Sequence, residues 1–257
     1  IRQVIRRDDP FPVLEGKATV ITGMRRVGKT SFCFQEMLDL LASGVDKKQL
    51  LYLNFEDDRL FGFKLDDCQS ILDAYYTLYP DNLTRKCYFF FDEIQNVDNW
   101  ERFVRRLLDT TNVHVILTGS SSKLLTSEIA TAMRGRSVSK ELLPFSFSEF
   151  LRYKKVFERL PEHLSDDSIA YLRHEMENYF MLGGFPEIYL YEDMATRVEI
   201  LQEYSNMVIL KDVVERHKVT NTTALRYLLA ALYNADSQKF SVTKFWKVLN
   251  KGMQVAC

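Results

Sequence analysis

Glycine is scarce in this chain: ten residues in 257, about 4% against a usual share of about 7%. A sequence this poor in glycine is expected to keep each one where the backbone needs it. They stand at 16, 23, 28, 44, 62, 119, 135, 183, 184 and 252. An excess of one charge is also lacking. Lys and Arg number 34, Asp and Glu 35, for a net charge of −1, which excludes a globally basic nucleic-acid binder and leaves only a local basic face open. No apolar run approaches 18 residues and the opening IRQVIRRDDP is charged, so neither a membrane span nor a signal peptide is expected. The four cysteines (33, 68, 87, 257) form no C-x-x-C, and the four histidines (114, 163, 174, 217) are scattered, which argues against a structural metal site. Cys33 and Cys87 lie in apolar segments and are expected to be buried free thiols, with reduced cytoplasm as the compartment. What remains is the composition of a soluble globular protein of one or two domains, 46% hydrophobic and 27% charged, without repeats or low-complexity stretches. It opens on Ile1 rather than methionine, and is expected to begin inside a longer protein.

The first 145 residues alternate short apolar runs with longer amphipathic ones. Strands are expected at Ala18-Thr22, Leu50-Phe55, Cys87-Phe91, Val113-Thr118 and Val138-Leu143. Helices are expected from Lys29 to about Ser43, near Ser70-Tyr79, over Trp100-Asp109 and near Ser122-Ala132. Continuous apolar strands separated by helices indicate a parallel sheet covered on both faces. Beyond Pro144 the strand-like runs vanish. Ser146-Tyr153, Ile169-Met181, Ala195-His217, Thr222-Asn234 and Val242-Lys251 all read as helices. The expected division is a core over residues 1–145, a helical lid over 146–218 and an incomplete helical, winged-helix-like segment over 219–257.

Gly23 to Thr30 reads GMRRVGKT, a fit to G-x-x-x-x-G-K-[ST] that follows a strand and opens a helix. Gly23 and Gly28 let the backbone turn its N–H groups onto a phosphate. Lys29 supplies a point charge to the β- and γ-phosphates, and the Thr30 hydroxyl can ligate Mg²⁺. The helix N-terminus adds positive character. The expected nucleotide-binding set is Gly23, Arg26, Val27, Gly28, Lys29, Thr30 and Ser31, with Arg25 and Arg26 exposed toward a phosphate or a partner.

Cys87-Glu93 is an apolar run ending in two carboxylates, placed where ligands bind in open α/β sheets. Asp92 would hold Mg²⁺ through water, and Glu93 would orient and deprotonate the attacking water. Thr118 or Ser120 would contact the γ-phosphate or the water, the alternative being a polar strand-to-helix cap. Asn54, beside Glu56, Asp57 and Asp58, would restrain Glu93, the alternative being a solvated acidic loop. Arg134 and Arg136 flank Gly135. Arg136 is the one expected to stabilise transition-state charge, in the same chain or a neighbour, against the plainer reading of a solvated turn.

Together VITGMRRVGKTS, LLYLNFEDDRL, FFFDEIQNVDNW, VILTGSSSKLL, RGRS, LLPFSFSEFL, LGGFPE and VILKDVVERHKV resemble the prokaryotic AAA-domain ATPases that carry a C-terminal domain of unknown function, a group among the P-loop signalling ATPases. The match runs in family order from about residue 18 to 218. It implies an α/β three-layer sandwich with a parallel five-stranded sheet in the order 5-1-4-3-2, then an all-α lid and the start of a winged-helix-like segment. It also implies ATP and Mg²⁺ as cofactors, with Lys29, Glu93 and Arg136 catalytic, Thr30 and Asp92 on the metal, and Ser120 as sensor. Family members continue further, whereas here the chain stops at NKGMQVAC with Gly252 in an expected turn, so a fragment or an atypical C-terminus is expected. The leading expectation is an ATP-hydrolysing switch or motor, with a protein partner or a second copy of the chain, no membrane, and DNA only through a missing C-terminal part. The alternative is a nucleotide-gated binding module with little turnover. A small-molecule kinase fits less well, because an adjacent Asp-Glu pair suits activation of water.

Overall fold

The structure is a computed structural model that describes residues 5–119, 129, 131–156, 165–215, 217–235 and 239–255. Five strands, β1 (Ala18–Thr22), β2 (Leu50–Asn54), β3 (Cys87–Asp92), β4 (Val113–Thr118) and β5 (Ser137–Glu141), form one all-parallel sheet in the order β2-β3-β4-β1-β5. This is the expected order, read from the other edge. The connecting helices are α1 (Lys29–Ala42), α2 (Cys68–Leu78) and α3 (Trp100–Thr110). The expected helix near Ser122-Ala132 lies almost wholly outside the described residues.

Alternation along β3 shows why these runs must sit inside. Successive side chains of a strand point to opposite faces. Phe89 and Phe91 enter one core with Leu72, Tyr75, Phe103 and Leu107, from α2 and α3. Phe90, between them, packs with Cys33 and Ile116, against Met37 and Leu40 of α1. Tyr75 meets Phe89 edge-on at 4.9 Å, and Phe91 stacks on Phe103 at 5.9 Å. Each such side chain withdrawn from water contributes about 1.5–3 kcal/mol. Cys33, Cys68 and Cys87 are buried free thiols, so burial rather than pairing accounts for them.

After β5 the chain turns helical, with α4 (Phe147–Tyr153), α5 (Asp166–Leu182), α6 (Met194–Met207), α7 (Thr222–Tyr233) and α8 (Val242–Val255). Helix α5 begins before the expected Ile169 because the Ser165 hydroxyl caps it through Ser168 N–H. The expected single helix Ala195-His217 is α6 followed by a π-helical stretch, Val208–Glu215. Gly252 does not form the expected turn. Helix α8 runs through it to Val255, as one glycine costs a helix only about 1 kcal/mol. By contacts the chain divides into two compact units, residues 1–202 and 203–257. Within the second, Asn221 caps α7 through Ala224 N–H, and Ser241 caps α8 through Lys244 N–H. Among the described residues no helix is long and apolar enough to cross a membrane.

One buried arginine ties the first unit together. Arg7 Nε donates to Glu149 Oε1 at 2.7 Å, Nη1 to the Val27 carbonyl at 3.1 Å, and Nη2 to the Leu143 carbonyl at 2.6 Å. Its guanidinium lies 5.2 Å over the Phe145 ring. Glu149 also accepts Asp8 N–H and Ser146 N–H, each at 2.8 Å, the second as part of the capping box that starts α4. Both side chains are 4% exposed. Breaking a buried, hydrogen-bonded ion pair costs about 3–5 kcal/mol, mostly from the charge left behind. Arg7→Met is therefore expected to lower the unfolding free energy by about that amount in urea titrations, and adding Glu149→Gln should recover part of the loss.

Candidate functional site

The phosphate-loop motif bridges β1 and α1 at the carboxyl end of the sheet. It turns through three positive φ angles, 149° at Gly23, 65° at Arg26 and 99° at Gly28. Gly23 has a second constraint. A Cβ there would collide with the Leu142 carbonyl oxygen and lie 3.1 Å from Val27 Cγ1, so only glycine lets the chain leaving β5 pass this close. Val27 is fully buried with Ile21, Phe32 and Leu142. Its side chain serves the core, and its carbonyl takes Arg7. Ser31 is exposed on the first turn of α1.

Lys29 is 6% exposed, with Nζ donating to the Gly23 and Met24 carbonyls at 3.3 and 3.1 Å and lying 3.9 Å from Glu93 Oε1. Burial pulls its ammonium below the ordinary lysine range, while the charges of Glu93 and Asp92 pull the other way. Asp92, 2% exposed at the end of β3, collects three hydroxyls. Thr30 and Tyr52 donate to Oδ2, each at 2.7 Å, and Thr118 donates to Oδ1. Burial and the neighbouring Asp92 charge push the Tyr52 phenol well above its usual range, which keeps it a donor. Thr118 faces both acids, since its oxygen also accepts Glu93 N–H at 3.1 Å. Parallel pairing makes this possible, because strand ends stop level and bring Thr22, Asn54, Asp92 and Thr118 to one edge.

The structure thus brings Gly23, Gly28, Lys29, Thr30, Asp92 and Glu93 together, with Thr118. It does not bring Arg136. That residue precedes β5, its carbonyl accepts Ala18 N–H at the start of β1, and its side chain pairs with Asp109. It therefore sits at the opposite end of the sheet from Gly23, roughly 16 Å away along a five-residue strand. Ser120 lies outside the described residues. Arg25 is half-buried rather than exposed, with its Nε buried and lacking a hydrogen-bond partner. Arg26 is exposed as expected and pairs with Glu187 at 3.1 Å. Asn54 does not restrain Glu93. Its side-chain Oδ1 accepts Glu56 N–H at 2.9 Å, whereas the amide on Glu93 Oε2 is that of Gln95.

Four residues of the site region escaped sequence reasoning. Arg7 is hidden in a charged leader, where nothing marks one arginine as buried. Gln95 and Glu187 had no signal beyond adjacency to a motif. Tyr52 did have one, as the hydroxyl in the otherwise apolar run LLYL. Glu187 belongs to the LGGFPE segment, whose Gly184 lies against Phe145. A Cβ on Gly184 would fall 2.9 Å from Phe145 N and overlap its carbonyl, and Phe145 N–H donates to the Gly184 carbonyl at 2.7 Å.

A family model described as an AAA domain, AAA_14, matches residues 15–151, and one for a domain of unknown function, DUF8612, matches residues 173–254. The uncharacterized protein MJ1544 of Methanocaldococcus jannaschii is 39% identical over 250 residues, covering 97% of this chain and 54% of that protein. An uncharacterized protein of Haemophilus influenzae is 32% identical over 230 residues, 90% of this chain and 54% of its own length. The chain spans about half the length of the curated relatives it matches. Among solved structures, Saccharomyces cerevisiae RIF2 is similar at 12% identity and a TM-score of 0.37, over 63% of this chain and 65% of that one. The flagellar accessory protein FlaH of Methanocaldococcus jannaschii is similar at 16% identity and a TM-score of 0.32, over 52% of this chain and 74% of that one. Likeness at these scores says nothing of activity. The phosphate loop, the acid pair and all five strands fall inside the first matched stretch, and the chain belongs to the AAA domain family.

Proposed function

We propose that this chain binds ATP with Mg²⁺ and hydrolyses it to move its helical part. The observation that carries the reading is the pair of acids at the end of β3. Asp92 is bonded to the loop's Thr30, and Glu93 lies 3.9 Å from the loop's Lys29. The donors fit a triphosphate and a hard cation. Arg25 Nε is a buried donor without a partner, Lys29 is a buried ammonium held only by loop carbonyls and the nearby acid, and the N-terminus of α1 follows. Thr30 and Asp92 supply the oxygen ligands that Mg²⁺ prefers. When bound, Mg²⁺ would neutralise charge on the phosphate oxygens.

The chain's own residues then have distinct tasks. The loop backbone and Lys29 hold the phosphates, with Lys29 exchanging its carbonyl contacts for them. Tyr52 and Thr118 fix the Asp92 carboxylate, so that it meets the cation without reorganising. Thr118 holds the Glu93 backbone, and Glu93 accepts the proton of the attacking water. Glu93→Gln is expected to lower steady-state phosphate release by at least about a hundredfold while ATP binding survives. Equal rates would remove Glu93 from the mechanism. A wild type that binds ATP without turnover would instead favour a nucleotide-gated binding module.

Arg136 enters this reading only from a neighbouring copy, because in its own chain it stands at the far end of the sheet. The rate per subunit is then expected to rise with protein concentration, and Arg136→Ala to abolish the rise. A flat rate would leave Arg136 a surface residue paired with Asp109.

The movement is proposed for the helical residues that follow the sheet, 146–218 in the division inferred from sequence. Support comes from Arg26, which projects from the phosphate loop to Glu187 in the LGGFPE segment. Phosphates arriving in the loop would compete with Glu187 for that guanidinium. Arg26 is exposed and Glu187 half-buried, and an ion pair this open to solvent contributes little to stability. Glu187→Ala is therefore expected to leave the melting temperature nearly unchanged and to tighten ATP binding several-fold, read by isothermal titration calorimetry.

A further inference from the structure

Gln95 stands two residues beyond Glu93, in the short turn Ile94–Asn96. Glu93 itself takes left-handed backbone angles, φ 53° and ψ 44°. The reversal folds Gln95 back, so that its Nε2 donates to Glu93 Oε2. The turn is anchored on all sides. Ile94 and Val97 are buried in the main core, Asn96 Nδ2 donates to the Phe55 carbonyl at 3.3 Å, and Thr118 holds Glu93 N–H. The Glu93 carboxylate is therefore bounded by Lys29 near Oε1 and by Gln95 on Oε2.

The other end of the amide has no such explanation. Gln95 Oε1 is buried and lacks a hydrogen-bond partner. Buried acceptors are nearly all satisfied in folded proteins, and an exception beside reactive groups calls for a functional account. Turning the amide over does not relieve it, because its oxygen would then face a carboxylate oxygen. With the N–H committed to Glu93, the oxygen can receive only a donor. The oxygen is closed off from solvent, so its missing bond is the penalty for holding the amide N–H on Glu93.

We propose that Gln95 is a positioning residue for the general base, its Nε2 aligning the Glu93 carboxylate that takes a proton from the attacking water. This rests on the hydrolysis reading above. In the step, the water oxygen forms a bond to the γ-phosphorus, one water proton passes to Glu93, and the bond to the β–γ bridging oxygen breaks, with its electron pair leaving on ADP. Gln95 neither gains nor loses a proton.

The test is steady-state ATP turnover by the full chain, with kcat and KM separated and thermal unfolding followed on the same samples. Gln95→Met keeps the volume and removes both polar ends. It is expected to lower kcat at least about tenfold with KM within twofold, and to leave the melting temperature equal or raised, because an unpaired buried oxygen is gone. Gln95→Asn, which keeps the amide one methylene short, should restore part of kcat. A purely structural Gln95 would instead lose melting temperature in Gln95→Met and keep kcat, and either that result or a kcat within twofold of wild type overturns the proposal. Active wild type with fully active Gln95→Met sinks the role of Gln95 alone, whereas a wild type without turnover sinks the hydrolysis reading and this proposal with it.

Discussion

The Arg7 guanidinium is buried against three pieces of chain that are far apart in sequence, and the geometry of the phosphate loop depends on it. It takes one carbonyl from the loop, at Val27, one from the exit of the last strand, at Leu143, and the carboxylate that starts the next helix, at Glu149. A planar group with five donors in a fixed fork can satisfy such a set, and a lysine cannot. The desolvation cost is offset only because every partner is present at once. Removing any one would leave a buried charge or carbonyl unpaired beside Gly28, where a Cβ would lie 3.9 Å from Arg7 Nη1.

That brace matters because the candidate site in front of it holds groups that are costly to keep together. Lys29 is buried near two carboxylates, Arg25 Nε and Gln95 Oε1 have no partners, and Arg26 and Glu93 take left-handed backbone angles. Local strain and unsatisfied polar atoms persist only where the surroundings over-determine them. Here the surroundings are the sheet edge, with Asp92 fixed by three hydroxyls from three different elements, and the buried arginine beneath. Cys33 also lies under the site, but its burial raises the thiol far out of reactive range, so it acts as packing.

The same brace connects the sheet with the helices that follow it. Leu143 and Phe145 lie between Arg7 and Gly184, so the segment LLPF touches the arginine on one side and the LGG turn on the other. Tyr179 OH reaches the Phe145 carbonyl at 2.5 Å, from α5. Exposed Arg26 and half-buried Glu187 complete the circuit on the solvent side. The phosphate-loop motif and a turn 161 positions further along the chain are thus joined by one buried route and one on the solvent side.

Sequence by itself determined the architecture and marked the candidate site. Apolar runs of strand length separated by amphipathic helices require a parallel sheet buried on both faces, and the five strands appear within one or two residues of their expected ends. GMRRVGKT and FFFDE carry their meaning locally, because a turn, a helix N-terminus and a strand end are short-range features. The glycines at 23 and 184 were legible as special, but their reason was not, since each is set by a distant carbonyl, Leu142 or Phe145. Tertiary structure alone decided which charges are buried and which reach the site. In Arg6, Arg7 and Asp8 nothing distinguishes the residue that goes inside, and the partners that draw Arg7 in lie up to 142 positions away. Arg136 looked like a site residue in the sequence, but strand order and direction put it at the far end of the sheet. Gln95 shows the converse, since only the reversal of the chain at Glu93 turns a plain turn residue onto the acid. Periodicity and motifs record what each segment can do, whereas pairing between segments depends on three-dimensional proximity that no local pattern encodes.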